Sequence, residues 1–171
     1  MEELKRRLSI CLSLLFEEDF HLIKEDLHER TISHKLASYL QQVFHFYHVD
    51  CEYNGNVDNE DRRKKIDRYL RNREIHLDEE DHSVFPDIII HERGINDRNR
   101  LVIEIKKSTN HYIDFDLEKL GFYTNSLQNR EYPYDFGCFI KIYTGDENIK
   151  RYEMTWFHEG AAIPTETVNL Q

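Results

Sequence analysis

The sequence predicts a mixed α/β domain in which a small sheet is flanked by helices. Three observations carry this prediction. Apolar residues recur at helical spacing in three separate segments. Two runs rich in β-branched residues, at 84–91 and 101–106, flank a stretch of turn-forming residues. Two further strand-like runs follow, at 136–143 and 151–157. The resulting order is helix, helix, strand, hairpin, helix, strand, strand.

Each element has its own signal. Leu4, Leu8, Cys11, Leu12 and Leu15 share one face of a first helix, about residues 2–16. Lys5, Arg6 and Arg7 ahead of that apolar run imitate a secretion signal, but Glu17, Glu18 and Asp19 close it without a cleavage-like site. Ile32, Leu36, Leu40 and Val43 mark a second helix over 27–46, with Asp26 and Glu29 spaced as a capping box at its start. Val49, Cys51 and Tyr53 alternate with Asp50, Glu52 and Asn54, which predicts a short strand over 49–54. Residues 55–83 are polar. Within them Ile66, Tyr69 and Leu70 have the spacing of a short docked helix. Gly94, Asn96, Asp97 and Asn99 supply turn chemistry between the runs at 84–91 and 101–106, so these form an antiparallel hairpin. Ile113, Leu117, Leu120, Gly121 and Leu127 define a third helix over 114–128. Residues 144–148 form the turn between the last two strands. Residues 158–171 lack periodicity and read as a loosely held tail, which leaves 1–157 as a single domain with its first helix packed on it.

At 171 residues and 20.8 kDa, the chain can bury a core without disulfide or metal staples. Cys11, Cys51 and Cys138 are far apart and odd in number, which predicts free thiols in a reducing, cytoplasmic setting. No segment approaches the roughly 18 apolar residues that a membrane span needs. The net charge is −10, which excludes a protein held to nucleic acid by a bulk positive field. Charge is unevenly spread: Arg62, Arg63, Lys64, Lys65, Arg68, Arg71 and Arg73 face only Asp67, a local +6 that leaves −16 for the rest. There is no phosphate-cradling glycine loop. Ser33, Ser108 and Cys138 lack a visible base and orienter. His45 and His48 are three apart, without a third ligand.

The hairpin is where chemistry concentrates. Side chains two apart on a strand share a face, so Glu104 and Lys106 point one way while Ile103 and Ile105 point the other. Asp87 shares a face with Ile89 and His91. A turn centred between Ile95 and Asn96 sets position 87 opposite position 104, with Cβ atoms about 5 Å apart. Two carboxylates that close repel unless a proton or cation lies between them. Mg²⁺ takes oxygen ligands from one or two carboxylates plus substrate phosphate. A neighbouring lysine would hold the attacking water or stabilise charge on the phosphate. The trio therefore has the makings of a phosphodiester-cleaving site. The alternative is the polar–apolar alternation of any one-sided antiparallel strand. Three details weigh against it. Pro86 marks a strand start, bulge or edge. The acids face each other instead of pairing with bases. Their apolar flanks suit strands buried on both faces, where unpaired charge is costly.

Pro86-Asp87 followed by Glu104-Ile105-Lys106 resembles the signature of the PD-(D/E)XK nuclease superfamily, which includes restriction endonucleases and many repair and defence nucleases. Glu52-Tyr53-Asn54, the flanks of both strands through Ser108, and 116–120 look like a group of compact bacterial stand-alone domains of this type. The likeness covers about 26–143. It implies a restriction-endonuclease-like core of helix, three strands, helix and strand. It implies Asp87 and Glu104 as metal ligands, the Ile105 carbonyl as a further ligand and Lys106 as the catalytic lysine. Glu29 matches the acid that the preceding helix often adds, although the capping box also accounts for it. Lys119 matches an auxiliary polar group, or is a solvated lysine. Glu52 is an outer partner of the site or an outward-facing strand residue. Arg62, Arg63, Lys64 and Lys65, extended by Lys107, Arg93, Arg98 and Arg100, would contact phosphates or form a solvated face. The expectation is a Mg²⁺- or Mn²⁺-dependent nuclease acting on DNA rather than RNA and leaving 5′-phosphate ends. The acidic balance implies weak binding alone, a homodimer or a partner protein. The competing expectation is a catalytically inactive module that keeps the fold as a structural or protein-interaction domain.

Overall fold

A computed structural model describes residues 1–53, 85–130 and 133–171 of the chain. The basic cluster Arg62, Arg63, Lys64 and Lys65, and the short helix expected around Ile66, lie outside the described residues. Three helices come first: α1 (Glu2–Glu18), α2 (Phe20–Lys24) and α3 (Glu29–Val43). Strand β1 (His48–Cys51), strand β2 (Ile88–His91), a 3₁₀ turn (Asn96–Arg98) and strand β3 (Leu101–Lys107) follow. Helix α4 (Asp114–Thr124) then leads to β4 (Phe136–Ile142), β5 (Arg151–His158), β6 (Ala161–Ala162) and β7 (Glu166–Asn169). The seven strands form one sheet in the order β1-β2-β3-β4-β5-β6, with β7 also on β5. Every pairing is antiparallel except β3 with β4, which α4 connects.

Apolar spacing decides which face each element covers. Leu4, Leu8, Cys11, Leu12 and Leu15 of α1 and Ile32, Leu36 and Leu40 of α3 are buried against one side of the sheet. The strands meet them with Ile88, Ile90, Leu101, Ile103, Ile105, Ile140 and Trp156. Helix α4 covers part of the other side, packing Phe115, Leu120 and Tyr123 on Ile89, Val102, Phe139 and Phe157. Strands β2 and β3 are thus buried on both sides, which accounts for their near-continuous β-branched runs.

Several boundaries differ from the sequence reading, each for a local reason. The expected capping box does not form. His28 is the N-cap of α3, and Asp26, at φ 51°, turns its carboxylate to the Thr144 hydroxyl, 2.6 Å away, and to Lys107. Strand β1 ends at Cys51, short of the expected 54, because Glu52 adopts φ 45°. Helix α4 ends at Thr124 rather than 128. Beyond it the Asn125 side chain accepts hydrogen bonds from the Leu127 and Gln128 amides, an alternative to continuing the helix, and Leu127 is left exposed. Residues 158–171 are not a loose tail. They form β6 and β7, which pair with β5 and pack Ile163, Val168 and Leu170 against the core. Glu166 of β7 also pairs with Lys5 of α1. Among the described residues, no helix is long and apolar enough to cross a membrane.

Candidate active site

The hairpin has the register expected from its turn. Ile88 pairs with Ile103, Ile89 with Val102 and Ile90 with Leu101, and one step further Asp87 stands opposite Glu104. Strand β2 stops there, and among the described residues the β2-facing edge of β3 runs on without a strand partner. Successive edge-facing amides of that stretch are taken by carboxylates. Ile105 N donates to Asp87 Oδ2 at 2.7 Å, and Lys107 N donates to Glu29 Oε1 at 3.1 Å. The amide and carbonyl of a strand residue point to the same neighbour, so the Ile105 carbonyl turns toward Asp87 as well.

Above this edge, on the side covered by α4, lies a dense set of charges. Glu104 is 2% exposed, and Lys119 Nζ lies 2.9 Å from its Oε1. The contact is an ion pair between two nearly enclosed groups. Lys119 also lies 3.2 Å from Asp116 Oδ1, and the other oxygen of Asp116 lies 3.2 Å from Lys106 Nζ. Lys106 Nζ is 3.4 Å from Glu29 Oε2. Asn110 Nδ2 donates to Glu29 Oε1 at 3.2 Å and fixes that carboxylate from the far side. Four carboxylates and two ammonium groups therefore share one partly dry site.

The electrostatic consequences follow from burial. Asp87 retains some accessible surface but is almost surrounded by protein. Desolvation pushes its carboxyl up to about 6 from 3.8, against the Ile105 hydrogen bond and the Lys119 charge. Glu104 is pushed well above the ordinary carboxylate range, by burial first and by Asp116 and Asp87 after it, despite Lys119. Burial opposes the charge on Lys106, but Asp116 and Glu29 outweigh it and hold the ammonium above its ordinary value. Lys119 is raised in the same way, with Glu104 and Asp116 overcoming desolvation.

The expected site residues divide accordingly. Asp87, Glu104, Lys106, the Ile105 backbone, Glu29 and Lys119 come together. Lys119 is a buried ion-pair partner, not a solvated lysine. Glu29 contacts Lys106 and the Lys107 amide, so its carboxylate is committed to the lysine. Glu52 is not part of the site: its positive φ turns it away, and its carboxylate pairs with Arg30 Nε at 2.9 Å. Lys107 is not an open phosphate contact, because its ammonium lies 3.0 Å from Asp26 Oδ1. Arg93, Arg98 and Arg100 are paired with Asp50, Glu92 and Asp135. Asp116 and Asn110 were not anticipated. The signal for Asp116 was its place one helical turn before Lys119. Asn110 carried no comparable signal.

A divalent ion would meet two carboxylates and a carbonyl here. Among the described residues, no three His, Cys, Asp or Glu side chains gather as a ready metal-binding group. Asp87 and Glu104, opposite each other by register, together with the Ile105 carbonyl nevertheless fit the habit of Mg²⁺, which needs only one or two carboxylates and completes its shell with water and phosphate. No family model, curated protein or solved structure matches the chain.

Proposed function

We propose that the chain is a divalent-metal-dependent nuclease of the PD-(D/E)XK type, cleaving phosphodiester bonds in DNA. One observation carries the reading. The β2–β3 register sets Asp87 opposite Glu104 where β2 ends, with Lys106 on the same face, in a set where carboxylates outnumber ammonium groups. The order α3, β1, β2, β3, α4, β4 supports it, since it follows the helix, three strands, helix and strand of that superfamily's core. A bound divalent ion would supply a Lewis acid for the scissile phosphate and stabilise the leaving oxygen. Asp87, Glu104 and the Ile105 carbonyl would hold it. Lys106 is kept charged by Asp116 and Glu29, so it donates hydrogen bonds and does not take a proton. It would orient the attacking water and stabilise charge on the phosphate. Glu29 and Asn110 position that ammonium.

A second reading, a non-catalytic module with this fold, is favoured by Lys119, which already neutralises part of the charge on Glu104 and Asp116. One experiment separates the two. Purified protein is incubated with supercoiled, linear duplex and single-stranded DNA, and with RNA, in Mn²⁺, Mg²⁺ or chelator. The nuclease reading expects ion-dependent cleavage that is abolished in Asp87→Asn and reduced about a hundredfold or more in Lys106→Ala. Equal cleavage by either variant, or no cleavage of any polymer, overturns it.

A further inference from the structure

We infer that the site takes a single divalent ion, because the ammonium of Lys119 permanently fills the second cation position, between Glu104 and Asp116. The inference rests on the metal-site reading above and adds to it how many ions the site accepts. In two-ion phosphodiester sites the ions stand about 3.5–4 Å apart and flank the reacting phosphate. Here Glu104 is the acid placed to be shared. By register it stands opposite Asp87 across the β2–β3 pair, and its Oε1 lies 2.9 Å from Lys119 Nζ. Asp116 cannot serve a second ion either. One of its oxygens is 3.2 Å from Lys119 and the other 3.2 Å from Lys106.

Lys119 has no route to step aside. It is 3% exposed, sits on an α4 packed down by Leu120 and Tyr123, and lies 5.2 Å from the centre of the Phe115 ring. A surface lysine can exchange its partner for water. A lysine enclosed by protein and ion-paired with two acids is part of the scaffold.

The test counts ions and does not depend on cleavage. Metal-free protein is titrated with Mn²⁺, free Mn²⁺ is followed by electron paramagnetic resonance, and Asp87→Asn serves as the baseline for weak surface binding. The wild-type chain is expected to bind one Mn²⁺ above that baseline. Lys119→Met, with its fold checked by circular dichroism, is expected to bind two, because Glu104 and Asp116 lose their ammonium. Lys119→Arg keeps the charge and is expected to stay at one. Two ions in the wild type, two in Lys119→Arg, or one in a folded Lys119→Met overturns the role given to Lys119 and leaves the nuclease reading intact. No ion above the Asp87→Asn baseline overturns the metal-site reading itself. If Lys119→Met does not fold, two ions in the wild type or in Lys119→Arg still overturn the inference.

Discussion

Asp87 shows how one side chain couples fold and chemistry. Its carboxyl is pushed from 3.8 to about 6, chiefly by desolvation. A group that binds its proton more tightly when folded favours the folded state at low pH. That stability is fully present below the unfolded value and is lost as pH rises through the folded one. Glu104, also raised by burial, acts with the same sign. The groups held low, Glu3, Asp26, Asp50 and Glu153, act with the opposite sign but below their ordinary values, under this window. Metal-free protein should therefore gain stability between pH 7.5 and 5. The Asp87 part over that range is on the order of 1.4 kcal/mol, and approaches its full size of about 3 kcal/mol only below the unfolded value. Urea midpoints across that range check it. Asp87→Asn should be more stable than the wild type at pH 7.5, because the Asn amide oxygen can still accept from Ile105 N, and should show a shallower slope. Equal slopes in the two proteins would mean that Asp87 is not the strained acid described here.

At the scale of elements, the site is the product of one register and one helix. The register was legible because two β-branched runs and a turn leave few ways to pair, and a slip by one residue would put Ile88 and Ile103 on the wrong side. The convergence of Asp87, Glu104 and Lys106 on one face followed from it. The partners of Lys106 and Lys119 were less legible, since they depend on how α4 rests on the sheet, which is a packing outcome with no sequence period. The docking of β6 and β7 was missed for a related reason: β7 is short and half-exposed, and its alternation is weak. The seating of α4 can itself be tested at Gly137. A Cβ there would meet Thr124 Cγ2 at 3.1 Å, Leu120 Cδ2 at 3.2 Å and Phe157 Cβ at 3.2 Å. Gly137→Ala should force Thr124, Leu120 and Phe157 to give by a few tenths of an ångström at a cost of about 1–3 kcal/mol, read as a lower urea midpoint. An unchanged midpoint would show that the helix has slack, and the fixed distances of Lys119 would lose their basis.

At the scale of the whole molecule, the question is how a chain of net charge −10 would meet a polyanion. The described residues expected to contact phosphate offer little help. Arg93, Arg98, Arg100 and Lys107 each have a carboxylate partner, and an ammonium or guanidinium already paired releases few counterions from DNA. The segment 62–73, with seven basic residues against one acid, is the concentrated positive charge in the sequence. If the proposed function holds, DNA affinity should run through it. Each phosphate contact adds about 0.9 to the slope of log affinity against log salt. Replacing Arg62, Arg63, Lys64 and Lys65 together by Ser should flatten that slope by up to roughly 3.6, with each contact worth about 0.9. Arg93→Ala and Arg98→Ala should leave the slope unchanged while loosening the fold near Asp50 and Glu92. Fluorescence anisotropy with labelled duplex DNA between about 20 and 200 mM salt, in chelator to prevent cleavage, measures both. A slope unaffected by the fourfold substitution would move DNA binding away from this segment and toward a partner protein or a second copy of the chain.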